Sequence, residues 1–189
     1  GAGGINDHTS SSTATLANAN PTITKSLLAT SEVSTSGTNV TIGEMATWDL
    51  RVTVPEGTPS SVTVTDLLPA GMQYEAGSVE VFTTAAAAAA ATPAANLTVD
   101  LNGTLGAQTI TGGASNGDDV VVTFGASTIA GDNVTTNNSF VVRLRARVLD
   151  VAGNVGLPGN QTVLSNDSSV RVASGTTVNS GANAVTVVE

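Results

Sequence analysis

Phe140-Val-Val-Arg-Leu-Arg-Ala-Arg-Val148 shows the cleanest alternation in the chain. Phe140, Val142, Leu144, Ala146 and Val148 fall on one side of an extended chain, and Arg143, Arg145 and Arg147 on the other. A period of two is the mark of a strand with one face in a core. Working outward, Trp48, Leu50, Val52 and Val54 share a face opposed to Asp49, Arg51 and Thr53. Similar short runs, broken by Gly, Asn and Pro, predict strands near 22–30, 38–42, 46–54, 61–66, 78–83, 96–101, 107–111, 119–124, 139–149, 161–172 and 183–188. Many short strands with tight turns imply an all-β, immunoglobulin-like sandwich of two antiparallel sheets. Its expected core includes Trp48, Leu50, Val64, Phe140, Val142 and Leu144, with negligible helix. The run Ala85–Ala91 is expected to be a loop insertion, since a helix that short is marginal in water.

Two regions follow from this patterning. Residues 1–20 are polar and rich in Ser and Thr, and read as a linker, the tail of a preceding repeat, or a strand added to a neighbouring subunit. Residues 21–189 form the domain. Gly1–Gly4 reads as a processed or trimmed end, and Val185–Glu189 as a boundary where a further repeat would begin.

Composition removes several classes of function. The 189 residues carry 15 acidic and 6 basic side chains, a formal charge of −9, which disfavours nucleic acid and anionic membranes as partners. One Trp, one Tyr and three Phe are too few for a base-stacking or sugar-stacking platform. No apolar run approaches a membrane span. Cysteine is absent and His8 is the sole histidine, so thiol, Ser-His-Asp and zinc chemistry lack their reagents. No cofactor is expected. Asp118-Asp119 and Gly131-Asp132-Asn133 offer oxygen ligands for calcium but read first as turn residues.

One set of residues breaks the apolar parity. Lys25 is the single lysine in the sequence, and it is in phase with Ile23 and Leu27. Asp66 is in phase with Val62 and Val64, and Asn166 with Leu164, Val170 and Val172. Three polar side chains thus point inward on three strands, where burial is costly unless they satisfy one another. On parity alone, an ordinary buried Lys25–Asp66 salt bridge with Asn166 nearby accounts for the pattern.

The stretches Pro21-Thr-Ile-Thr-Lys25, Ile42-Gly-Glu44, Trp48-Asp-Leu-Arg-Val-Thr-Val-Pro55, Val64-Thr-Asp66-Leu-Leu-Pro69 and Leu164-Ser-Asn166-Asp167 resemble the isopeptide-forming fimbrial domains and related repeats of large bacterial adhesins. The resemblance spans about residues 21–188. It implies a covalent bond between Lys25 and Asn166, assisted by Asp66 as the acid. Glu44 is the rival acid, being in phase with Ile42, Ala46 and Trp48, but it adjoins Gly43 at a turn. Asp49 ranks behind both because it faces outward. The Ala-rich insertion and the Ser165–Ser168 context of Asn166 depart from the family pattern.

The implied function is a non-enzymatic structural module of an extracellular fibre or adhesin at the cell surface. Its partners would be neighbouring identical repeats or subunits, met through terminal strands, and a host or matrix glycan or protein. The alternative is a ligand-binding module, with or without calcium, in which Lys25 and Asp66 form only a salt bridge.

Overall fold

The structure, a computed structural model, describes residues 19–95 and 97–189. Most of the segment read as a linker or tail, with His8, therefore lies outside the described residues. The strands are β1 (Thr22–Thr30), β2 (Asn39–Val40), β3 (Met45–Thr53), β4 (Val62–Leu67), β5 (Met72–Tyr74), β6 (Glu80–Phe82), β7 (Asp100–Leu101) and β8 (Gly103–Thr104). They continue with β9 (Gln108–Gly112), β10 (Val120–Phe124), β11 (Thr128–Ile129), β12 (Asn138–Val148), β13 (Val163–Val172), β14 (Val178–Asn179) and β15 (Asn183–Val187).

Two sheets pack face to face, as the alternation predicts. The first runs β1-β3-β12, and the far side of β12 is lined by the short strands β5, β6 and β7. The second runs β2-β15-β13-β4-β10-β9, with β14 also on β13. Trp48, Leu50, Val52, Phe140, Val142 and Leu144 of the first sheet meet Val62, Val64, Val120, Val122, Val170 and Val185 of the second in one continuous core. Phe124 meets Phe140 edge to face at 5.3 Å between ring centres, a favoured aromatic geometry.

Residues 19–21 and 187–188 lie at opposite poles of the sandwich. Ala19–Pro21 line a groove of about 350 Å³ together with Pro55, Pro59 and Val172, at the end of β13. The other pole holds Val187 and Val188, bonded to Thr162 and Val40 respectively.

Two expectations are corrected. The alanine run is not a plain loop, for Ala85–Ala90 form a helix, α1, capped by the Thr84 hydroxyl accepting from the Ala87 N–H. Six alanines are too few to hold a helix unaided; this one gains from tertiary contact. Ala88 is buried against the outer face of the first sheet in a small second core with Phe82, Val99 and Val141. The same insertion changes the meaning of outward parity. Asp49 and Arg143 do point away from the main core, yet both are buried. They form a two-pronged ion pair at 2.8 and 3.0 Å, while Arg143 also donates to the Pro93 carbonyl at 2.6 Å.

Removing one member of such a pair strands a buried charge. Asp49→Ala is expected to cost about 3–5 kcal/mol, read as a lower urea midpoint. An apolar pair, Asp49→Leu with Arg143→Met, is expected to cost clearly less, because no charge is left unpaired.

Candidate functional site

The candidate site lies between the sheets, where β1 crosses β4 and β13. Lys25 pairs with Leu50 on β3, so its side chain takes the inward direction shared by Ile23. Asp66 sits opposite Ser168 in the β4–β13 ladder, which puts Asn166 diagonally beside it on the same inner face. All three side chains are buried, and Asn166 is 0% exposed.

The Lys25 amine donates to Asp66 Oδ2 at 2.6 Å and to the Asp167 backbone carbonyl at 3.0 Å. The Trp48 ring lies 5.0 Å from the amine. The remaining atoms are unusual. Among the described residues, Asp66 Oδ1 and both polar atoms of the Asn166 carboxamide are buried without a hydrogen-bond partner. An unpartnered buried amide costs about 1–3 kcal/mol, so an asparagine held this way has no evident value to packing alone.

Burial lowers the Lys25 amine to about 8, although the Asp66 charge and hydrogen bond pull the other way. Burial likewise raises the Asp66 carboxyl above its ordinary range; the Lys25 charge opposes this first, and the nearby Asn166 side chain more weakly. Both shifts favour the uncharged partners, amine and carboxylic acid. A proton passing from Lys25 to Asp66 would supply both at once, without an external base.

Glu44 is placed elsewhere. Its carboxylate accepts from the backbone N–H groups of Glu32 and Thr41 and from the Thr35 hydroxyl, at 2.7–3.0 Å. Burial tends to raise it, but these donors hold it below the ordinary carboxylate range. It fastens the β1–β3 connection while Lys25 turns to Asp66. Asp49, the third-ranked acid, is engaged by Arg143 on the outer face. Of the carboxylates considered for calcium, Asp132 and Asp118 are engaged locally. Asp132 accepts from Asn102, Asn137 and the Val134 N–H, and Asp118 from the Ser115 N–H.

Sequence reasoning missed the surroundings of the amine. Asp167 acts through its backbone carbonyl, so its residue type carries no signal. The Asp167 carboxylate is tied to Ser180 and to the Ser168 N–H, which holds that stretch of β13 in place. Asn183 donates to the Lys25 carbonyl at 3.4 Å, linking β15 to β1. The placement of Trp48 had a signal, since it precedes Leu50, the cross-strand partner of Lys25, by two residues on the same inward face.

No family profile and no curated protein matches the sequence. Among solved structures, the chain is similar to the C-terminal domain of the AgI/II polypeptide BspA of Streptococcus agalactiae. Identity there is 11% and the TM-score 0.54, with 89% of this chain aligned. The chain spans 50% of that structure. The full-length major pilin SpaD of Corynebacterium diphtheriae aligns with 88% of this chain and 35% of its own, at 14% identity and a TM-score of 0.48. The collagen-binding subdomain of the Enterococcus faecalis surface protein ACE aligns over 77% of this chain and 88% of its own, at 12% identity and a TM-score of 0.40. The BspA match supports the all-β sandwich as a fold already known in a bacterial polypeptide.

Proposed function

We propose that this chain is a structural module of an extracellular surface fibre or adhesin, stabilised by a self-formed amide bond between Lys25 and Asn166. The observation that carries the chemistry is the buried, unpartnered Asn166 carboxamide beside the Lys25–Asp66 pair. The supporting resemblance is in the Lys25, Asp66 and Asn166 motifs.

In this reading Asp66 takes a proton from Lys25, leaving a neutral amine and a neutral acid. The amine nitrogen attacks Asn166 Cγ while the Asp66 hydroxyl polarises Oδ1. Asp66 then protonates the departing Nδ2 and recovers a proton from the attacking nitrogen. One C–N bond forms, one breaks, and one ammonia leaves. Asp66, ionised at the start, ends as the neutral acid holding the proton it first took from Lys25, and the module acts on no other molecule.

The pair must share one proton to react, and its titration belongs to both groups. Above about pH 8, where the lowered Lys25 amine gives up its proton, the pair loses the acid form of Asp66. Bond formation is therefore expected to slow as pH rises past 8 and also at acid pH, where Lys25 stays charged. Chain purified unfolded and unreacted, then refolded across a pH series and followed by intact mass, checks this. A rate that climbs steadily to pH 10 would remove Asp66 from the reaction.

A further inference from the structure

Sheet edges expose backbone donors and acceptors, and folded proteins usually blunt them. Three of the four edges of the two large sheets are blunted. In the first sheet, β1 carries a register break between Leu27 and Ala29, and the far side of β12 is divided among three short strands. In the second sheet, β2 is two residues long. The fourth edge, β9, has no such device.

Among the described residues β9 pairs with β10 alone, and each of its five residues is exposed. From Asn102 to Gly117 the sequence holds no charge and no proline. Gly125 donates to the Ala107 carbonyl, so bonded pairs toward β10 fall at 107, 109 and 111, and the backbone groups of Gln108 and Ile110 point away. Gly112, at φ 82°, ends the regular edge. Ile110 stands opposite the buried Val122 on the core-facing side, yet it is 38% exposed because no strand of the described residues lies beyond it.

We propose that β9 is a self-association edge, where two copies of this chain pair β9 to β9, antiparallel, about a twofold axis at Ile110. In that register Ile110 exchanges both backbone hydrogen bonds with its counterpart. The Ile110 side chains then cover one another, and Thr109 of each copy faces Thr111 of the other, a favourable cross-strand pair. Charge selects a second copy over a random contact. A chain of net charge −9 repels its like over most of its surface, and this edge is a neutral strip with a self-complementary sequence. The contact is small, so it is weak for an isolated pair and gains strength where repeats are strung together. It makes no use of Lys25, and its failure would leave the internal bond untouched.

The twofold axis provides a direct test. Bonded antiparallel partners sit about 5.5 Å apart at Cα, within the reach of a disulfide, and the sequence contains no cysteine. Ile110→Cys under a glutathione redox buffer is expected to give at least tenfold more disulfide dimer than Val134→Cys, a site of similar exposure. Gln108→Pro in the Ile110→Cys background removes an outward donor while sparing the β10 ladder, and is expected to abolish that excess. Equal crosslinking at positions 110 and 134, or an excess that survives Gln108→Pro, would overturn the proposal. So would an edge covered by some other segment, which would leave Ile110→Cys monomeric.

Discussion

Purified protein is expected to weigh less than its sequence mass by one ammonia, with peptide mapping recovering a branched fragment that contains both Lys25 and Asn166. Lys25→Ala and Asn166→Ala each remove a reacting group, and both are expected at full calculated mass. Asp66→Ala keeps the amine and the carboxamide but removes the proton carrier, and it too is expected at full mass. The effect is all or nothing, because an amide does not exchange with an amine without such activation. Wild-type protein at full mass would refute the bond. What would remain is a sandwich with a buried Lys25–Asp66 pair, closer to the plain salt-bridge reading.

Melting gives the second large effect. A bond from Lys25 to Asn166 closes a loop with 140 residues between its ends, which constrains the unfolded chain by about 5 kcal/mol on the chain-entropy estimate. At about 2–4 °C per kcal/mol for a domain of this size, the unbonded form is expected to melt about 10–20 °C lower. Asn166→Ala is the most informative variant, since it leaves both members of the Lys25–Asp66 pair in place. Lys25→Ala also strands Asp66, and Asp66→Ala strands Lys25, so each adds a cost of its own. A scanning calorimetry midpoint for Asn166→Ala within 3 °C of wild type would remove the bond as a source of stability.

The sandwich was legible because its central strands are long and alternate cleanly. β3 and β12 could be read residue by residue, and so could the inward direction of Lys25, Asp66 and Asn166. Strands of two or three residues, such as β5, β8, β11 and β14, hold too few side chains to show a period. Parity also tells which side of a sheet a residue takes, and not what lies over that side. Asp49 and Arg143 read as outward, and their burial depends on an insertion more than 30 residues from Asp49 in the chain. α1 was obscured for a related reason, since its stability comes from Phe82, Val99 and Val141 and not from its own alanines. Within the site, the carbonyl of Asp167 was invisible because any residue supplies one.

Asn166 lies on β13, and β14 and β15 follow it in the chain. With the bond in place, tension applied between the two poles passes from β1 directly into β13 and spares everything enclosed between them. The 23 residues from Asp167 to Glu189 stay in the line of pull. β15 runs along that line, held by β13 on one side and β2 on the other, so its hydrogen bonds resist together in shear instead of opening one by one. Should they yield, the module would lengthen by no more than about 80 Å at full extension and then stop at a covalent limit, absorbing a shock without losing its core.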